Sequence, residues 1–304
     1  MTVTSGVPAG VPSVRAGADR RRPEAAPRGV PPRRIAAVAV ALAALLAGPA
    51  AAAPSDPLRA QRLDARAAVR EHPGMWTGAS VARGERAVVV GSPRSLVAGI
   101  AALADRAGRT VTRVWGGRGG AVVLVPRTEE QAAVLAAPAK VDGLAALATG
   151  GRVIVQPAAF ARLSATGRLV VMTHELTHVA TAGPRAVPMW LMEGFADYVG
   201  YLDSGLPVRT VAAELAADVA AGRAALGGLP GPADFAARPA QAYEEAWLAC
   251  RYIAARFGEP RLVALYRAAL REEIGAALRE ELGLTAGDLT RAWRSWAREQ
   301  LARS

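Results

Sequence analysis

The sequence predicts an α+β fold in which a small mixed sheet with helices comes first and a mostly helical half follows. Between residues 84 and 157, short apolar runs alternate with stretches of helical periodicity, a pattern typical of strands that alternate with helices. Between residues 158 and 304, apolar residues recur at helical spacing with few interruptions. The chain has 304 residues, of which 52% are hydrophobic, so it is long enough to bury a sizeable core.

Residues 1–53 are predicted to lie outside that core. The first 34 residues are rich in Pro, Gly, Ala and Arg without apolar periodicity, and we expect them to be disordered. Arg33 and Arg34 then precede the apolar run 35–47, and small residues follow to position 53, as in a signal peptide. An uncleaved anchor, a weak twin-arginine export signal and a buried core helix are the alternatives, of which the basic flank disfavours the last. We expect the rest of the chain to be secreted or extracytoplasmic, with residues 35–53 as its possible anchor.

Residues 54–83 are predicted to be a linker that holds a short helix over 57–70, with His72 on the surface. In the α/β part, 84–157, the glycine run 116–120 lacks the Lys-Ser/Thr ending of a phosphate loop. It lies between two predicted strands and therefore indicates a hairpin turn. The predicted strands are 86–90, 110–115, 121–125 and 151–156, and the predicted helices are 94–107 and 129–137.

The helical part, 158–304, is predicted to contain most of the remaining core. Thr285 and Asp288 have the spacing of a capping box at the start of the last helix. Trp293 and Trp296 share a face of that helix and are expected to pack in the core. The predicted helices are 168–180, a helix around Glu193 that ends near 201, 209–223, 241–257, 261–271, 274–282 and 285–302.

The stretch 170–179 contains the motif His-Glu-x-x-His, with His174, Glu175 and His178 in its fixed positions. On a helix, residues i and i+4 leave the same face one turn apart, which suits two nitrogen ligands of one tetrahedral Zn²⁺. Glu175 then has the position of a general base that acts on water. The alternative is two solvent-facing histidines on an ordinary helix. That alternative is disfavoured because the chain has only 3 His and apolar residues flank the motif.

A catalytic zinc site needs a third protein ligand, and the segment 188–198 supplies a candidate. Glu193 lies 15 residues after His178, which leaves room for a turn and the start of a second helix. Asp197 follows four residues later on the same helix face, where it could accept the free ring N–H of a ligand histidine. An amphipathic helix with two exposed acids is the alternative, but it explains poorly why acids occur in so apolar a run.

Together, H-E-x-x-H and the later W-L-x-E-G-x-A-D-Y resemble the peptidase-MA-like gluzincins, which include thermolysin and the related zinc aminopeptidases. The resemblance covers roughly residues 85–300 and implies a zincin-like fold. It implies zinc ligation by His174, His178 and Glu193, Glu175 as the base, and Asp197 as the acid that supports the ligands. It further implies that the strand before the metal helix is the sheet edge, to which a substrate backbone is added. The chain shows neither the long additional domains nor the G-x-M-E-N motif of the exopeptidases, which disfavours an aminopeptidase.

Hydrolysis of a peptide bond produces an oxyanion, which needs a hydrogen-bond donor besides the metal. No histidine follows the motif, so a tyrosine is the expected donor. Tyr243 lies where the resembled family often has a tyrosine, ahead of a long helix. Tyr198 and Tyr201 are nearer in sequence but are expected to pack. We therefore predict Tyr243 as the second catalytic residue, beside Glu175.

Composition narrows the possible partners. The formal net charge is +11, but the arginines are dispersed with few aromatic residues between them, unlike a nucleic-acid footprint. Cys250 is the single cysteine, which excludes a disulfide framework and predicts a buried, inert thiol. We therefore expect a peptide or protein substrate, no nucleic-acid partner, and membrane contact only through an uncleaved N-terminal segment.

These patterns predict a zinc metallopeptidase. One alternative is a zinc-dependent hydrolase that acts on a non-peptide amide. The other is a catalytically silent cell-surface binding module that kept the fold, which the complete set of ligands and Glu175 disfavours.

Overall fold

In the residues that this computed structural model describes (56–139, 141, 143–223 and 226–302), five short strands form one mixed sheet. The strands are β1 (Ser80–Arg83), β2 (Val88–Gly91), β3 (Val122–Val125), β4 (Ala146–Thr149) and β5 (Arg152–Val155). Their order across the sheet is β1-β2-β3-β5-β4. The three central strands are parallel, and each outer strand is antiparallel to its neighbour. Strands β1 and β4 are therefore the two edges.

The central strands are buried on both faces, which explains their uninterrupted apolar sequences. Val88 and Val90 of β2 pack toward helix α1 (Arg59–Glu71). Val89, between them, packs toward helix α2 (Arg94–Trp115) on the opposite face. Successive side chains of a strand point to opposite faces, so one valine run fills two core layers.

Most of the remaining described chain is helical. Helix α6 (Met189–Tyr201) packs between α5 (Ala165–Thr181) and α10 (Pro239–Phe257). Leu191 and Phe195 of α6 are fully buried, as is Ile253 of α10. These three helices form the centre of the helical half. The helices after α2 are α3 (Glu129–Ala136), α4 (Pro157–Arg162), α5 (Ala165–Thr181), α6 (Met189–Tyr201), α7 (Val208–Val211), α8 (Ala213–Ala220), α9 (Pro232–Ala237), α10 (Pro239–Phe257), α11 (Glu259–Ala269), α12 (Ile274–Leu282) and α13 (Ala286–Ala302).

The α+β class is confirmed, with a small mixed sheet in the first part and helices in the second. The predicted capping box is present, because Asp288 N donates to Thr285 Oγ1 at 3.1 Å and Thr285 N donates to Asp288 Oδ2 at 3.0 Å. Trp293 is fully buried, and Trp296 packs against Tyr252 with ring centroids 5.9 Å apart.

The predicted strand over 110–115 is wrong, because α2 continues through it to Trp115. Val111 and Val114 extend the helix's buried stripe, so the helical period outweighs the β-branched composition of this stretch. The glycine run 116–120 is therefore no hairpin turn. Gly116, at φ +88°, ends the helix, and its N–H donates to Thr112 O at 2.9 Å.

Three other expectations differ from the structure. The range 54–83 is predicted as a linker with one helix over 57–70; that helix is present as α1, but the range also holds a 3₁₀ turn (Pro73–Trp76) and β1, which pairs with β2. The strand before the metal helix, β5, is internal, and the edge is β4, which the sequence analysis missed. The helix predicted over 209–223 is divided into α7 and α8. Four-residue strands with partial exposure, such as β1 and β4, have too little periodicity to be recognised.

The predictions for residues 1–53 lie outside the described residues. Pro54–Ser304 forms one compact unit by its internal contacts. None of the helices described between residues 56 and 302 is both long and apolar enough to cross a membrane.

Candidate active site

Helix α5 presents the two histidines of the motif on one face. It begins after Ser164, whose Oγ accepts from Gly167 N at 3.0 Å as an N-cap. His174 and His178 are one helical turn from each other. Their ring centroids are separated by 4.6 Å and their Nε2 atoms by 3.0 Å. Thr177 is buried, and its hydroxyl is satisfied by the Thr173 carbonyl at 2.7 Å. The helix thus buries one polar face without unpaired hydroxyls and directs both imidazoles into a cleft.

Helix α6 supplies the third candidate ligand. Glu193 Oε2 lies 3.3 Å from His174 Nε2 and 3.4 Å from His178 Nε2. The close approach of α6 to α5 depends on Gly200, where a Cβ would lie 3.2 Å from the Val170 carbonyl oxygen and 3.7 Å from His174 Cβ. The loop between the two helices ends at Pro188, which fits the start of a helix.

These three ligand atoms have the spacing that a tetrahedral zinc ion requires. Atoms bound at about 2.0–2.1 Å to one tetrahedral ion lie roughly 3.3–3.5 Å apart. The observed separations of 3.0, 3.3 and 3.4 Å are close to this, and all three residues are at least partly buried. Two neutral imidazoles and one carboxylate are also a usual donor set for zinc. His174, His178 and Glu193 therefore fit a metal ion, which they could hold through Nε2, Nε2 and Oε2.

Asp197 controls the orientation of one imidazole. Its Oδ1 lies 2.8 Å from His174 Nδ1, and an ionised carboxylate can only accept a hydrogen bond. When His174 is neutral, its proton is therefore on Nδ1, which leaves the Nε2 lone pair directed toward Glu193 and His178, free to bind a metal ion.

The electrostatics of the cluster favour a positive charge. Burial alone would lower the pKa of His174, but the negative charge of Asp197, and the hydrogen bonds that Asp197 and Glu193 accept from the protonated ring, raise it well above its usual value. Burial alone would raise the pKa of Glu193, but hydrogen bonds from His174 and His178 lower it to about 2. The two shifts are reciprocal, because the carboxylates stabilise the charged form of the imidazole and the imidazoles stabilise the charged form of Glu193. A divalent metal ion would satisfy them while the imidazoles remain neutral.

Glu175 lies beside these ligands and lines the same cleft. Its side chain is 8% exposed and makes no hydrogen bond or ion pair within the described part of the chain. A buried carboxylate without a hydrogen bond in the described chain is free to exchange protons with a molecule in the cleft.

The cleft has a volume of about 500 Å³ and mainly apolar walls. One wall is the edge strand β4, and the other is formed by α6, α11 and the loop after α5. At the rim, Arg185 forms an ion pair with Glu273. The part of the wall formed by β4 could not be predicted from the sequence, because β4 has only the weak alternation Ala-Leu-Ala-Thr. The apolar wall residues are Leu144, Ala146, Leu147, Ala148, Ala182, Ala186, Val187, Met192 and Leu270.

Tyr243 also lines the cleft, and its ring packs edge-to-face on Phe235 with centroids 5.0 Å apart. Burial and the nearby carboxylates raise its pKa, so its hydroxyl stays protonated and able to donate. Tyr266 lines the cleft as well, but its hydroxyl is bonded to Thr181 Oγ1 at 3.2 Å. Tyr198 donates to Glu259 at 3.0 Å, and Tyr201 packs on Trp247.

The structure thus brings all six predicted site residues to one cleft or to its immediate support: His174, Glu175, His178, Glu193, Asp197 and Tyr243. His72 does not line it. Cys250 is fully buried under α6, as expected of an inert thiol, and burial raises its pKa.

No family model and no curated protein matches this chain. One solved structure that is similar is a crystal structure of a two-domain M1 zinc metallopeptidase mutant bound to L-arginine. It is 17% identical with a TM-score of 0.42, and the match covers 71% of this chain and 51% of that one. The matched region thus spans about half the length of that protein.

Proposed function

We propose that this protein is a zinc-dependent metallopeptidase that hydrolyses peptide bonds with water. The observation that carries the proposal is the triangle of His174 Nε2, His178 Nε2 and Glu193 Oε2, with edges of 3.0–3.4 Å, at the wall of a cleft. Zinc bound there would lower the pKa of water and polarise the substrate carbonyl. Proton transfer, hydrogen bonding to the oxyanion and pairing with the substrate backbone are assigned to side chains and backbone of this chain.

Glu175 is the proposed general base. It accepts a proton from the attacking water as the water oxygen bonds to the carbonyl carbon. It then donates that proton to the amine nitrogen as the C–N bond breaks, so the carboxylate is regenerated. Its freedom from hydrogen bonds within the described chain supports this role, because neither transfer requires a protein contact to be broken.

Two further groups complete the proposal. The Tyr243 hydroxyl donates a hydrogen bond to the carbonyl oxygen as negative charge develops on it. The free edge of β4 pairs with the substrate backbone, because an edge strand has unpaired N–H and C=O groups. The apolar cleft walls support an extended substrate with uncharged side chains next to the cleaved bond.

The proposal is tested with the purified full chain, a peptide library and measurement of metal content. We expect about one Zn²⁺ per chain and complete loss of hydrolysis after chelation. Glu175→Gln should retain zinc but lose about 10²- to 10⁴-fold in turnover, because it removes the base and spares the ligands. His178→Ala should lose both zinc and turnover.

Each alternative gives a different result. Stoichiometric zinc without hydrolysis of any library peptide or simple amide would indicate a silent binding module. Cleavage of non-peptide amides alone would indicate the other hydrolase. Absence of stoichiometric metal, or full activity of Glu175→Gln, would contradict the proposed mechanism.

A further inference from the structure

Helix α1 has a row of arginines along one face. Arg59, Arg62, Arg66 and Arg70 fall within an arc of about 80° at 100° per residue. Arg62 pairs with Asp56 at 2.8 Å. In the part of the chain that the structure describes, the side chains of Arg59, Arg66 and Arg70 form no hydrogen bond or ion pair, although they are exposed. The row is therefore a source of uncompensated positive charge.

The acids of α1 point the other way. Asp64 and Glu71 pair with Arg152 of β5 at 2.6 Å and 3.2 Å. Arg152 is mostly buried, so this triad attaches α1 to the sheet and uses the negative charge of the helix there. The opposite charges are thus segregated to opposite faces of one helix.

An apolar groove lies beside the arginine row, because α1 covers β2 and β3 but leaves the edge strand β1 open. Val81, Val88 and Val90 form its floor, and its volume is about 350 Å³. Arg83 of β1, also exposed and unpaired within the described residues, stands at its rim with Arg66 and Arg70. Val81 is 58% exposed, and Leu63, beside the arginine row on α1, is 55% exposed.

We propose that this α1–β1 face, comprising the arginine row, Arg83, Leu63 and Val81, docks on an anionic lipid bilayer. Arginines beside exposed aliphatic side chains combine attraction to anionic headgroups with insertion at the headgroup boundary. A nucleic acid would require stacking aromatic side chains, and the groove has none among its lining residues. An acidic protein would satisfy the arginines but would not account for two aliphatic side chains more than half exposed.

The position of this face in the chain supports the proposal. The apolar run 35–47, predicted as a signal peptide or as an uncleaved anchor, ends 12 residues before Arg59. Even a fully extended connection of that length spans only roughly 40 Å, so in the anchor alternative α1 stays near the membrane that the run contacts. The proposed contact is additional to the N-terminal one expected from the sequence.

Docking by this face would orient the cleft. Strand β1 is one edge of the sheet and β4, which lines the cleft, is the other. Four strand spacings separate them, about 19 Å. The cleft would then be open to water at the far edge, where a soluble substrate reaches it.

The contact is tested with an environment-sensitive fluorophore on the full chain. Cys250 is the single cysteine and is fully buried, so Val81→Cys places one reactive thiol on the proposed face. With phosphatidylglycerol vesicles the emission should shift to the blue, and with phosphatidylcholine vesicles it should not. A probe at Leu206→Cys, 40% exposed in the loop after α6, should stay water-like with both. If the fluorophore on Val81→Cys kept the emission it has in water when phosphatidylglycerol vesicles were present, the proposal would be overturned, even if residues 1–53 bound the vesicles.

A charge-reversal pair tests the arginines. Arg66→Glu with Arg70→Glu should reduce the blue shift and lower the vesicle partition coefficient of the Val81→Cys chain by at least about 30-fold. The matched control, Arg94→Glu with Arg209→Glu, changes the net charge equally at exposed positions off this face and should bind as the parent does. Thermal unfolding and peptide hydrolysis of each variant verify folding. The proposal would be overturned if both pairs of substitutions reduced vesicle binding equally, or if Arg66→Glu with Arg70→Glu retained the blue shift. It would also be overturned if polyglutamate displaced the protein from the vesicles but salt did not.

Discussion

At the residue scale, Asp197 acts on the candidate metal centre without being a ligand. Its carboxylate accepts from His174 Nδ1 at 2.8 Å, in a place where both side chains are mostly buried. A ring N–H left unpaired at such a site would cost roughly 1–3 kcal/mol. The contact also makes Nε2 of the imidazole a stronger donor to a metal ion.

We therefore predict that Asp197→Ala weakens zinc affinity by about 10- to 100-fold. Asp197→Asn should be milder, because its amide oxygen can still accept, and Glu193→Ala should be far worse, because it removes a ligand. Competition with a chromogenic chelator measures all three, with Asp203→Ala on the surface as the control. Wild-type affinity and turnover in Asp197→Ala would make Asp197 only a structural acid.

Tyr243 is predicted to act in the transition state rather than in the binding of substrate. Tyr243→Phe should lower kcat by about 10²- to 10³-fold and leave KM and zinc content nearly unchanged. Tyr266→Phe is the informative comparison, because that hydroxyl lines the same cleft but is bonded to Thr181. It should change kcat by much less. Equal effects of the two substitutions on kcat would remove the argument for Tyr243.

At the scale of elements, the site depends on how closely α6 packs between its neighbours. Gly194, next to the ligand Glu193, faces α10, and a Cβ there would overlap the backbone carbonyl of Ala246. Backbone cannot yield as a flexible side chain does, so α6 would have to move away from α10. The loss of the glycine would therefore affect both the core and the position of Glu193.

Gly194→Ala should lower the free energy of unfolding by about 1–3 kcal/mol, measured by denaturant titration. It should also weaken zinc binding. Gly99→Ala is the matched control, because Gly99 is an exposed glycine within α2 and a Cβ there meets nothing within 4 Å. That change should stabilise the protein by up to about 1 kcal/mol through helix propensity. If both substitutions stabilised the protein, the contact between α6 and α10 would not be limiting.

At the scale of the whole molecule, the sheet separates two surfaces with different properties. One edge, β4, borders the candidate active site, and the other, β1, borders the arginine row of α1. Arg152 connects these parts, because it lies on a central strand next to β4 and pairs with two acids of α1. A protein built this way could hold one edge on a surface while the opposite cleft remains open.

Local sequence determined the parts of the site that lie within single helices. Each of two residue pairs lies within a single helix: His174 with His178, and Glu193 with Asp197. A spacing of i and i+4 is therefore enough to predict that the two members of each pair share a face. The same reasoning predicted the α+β class and helix α12 with its observed bounds, Ile274–Leu282. These features need no knowledge of what packs against them.

Only the tertiary structure decided how the elements meet. Strand β4 became the edge and the cleft wall, although its four residues have little periodicity, because strand order depends on long-range pairing. Residues 110–115 joined α2 because the packed stripe outweighs their β-branched composition. Gly194 and Gly200 set the distances between helices, which no spacing within one helix encodes. The sequence by itself therefore determined which side chains form the candidate site, and long-range packing decided the walls around it.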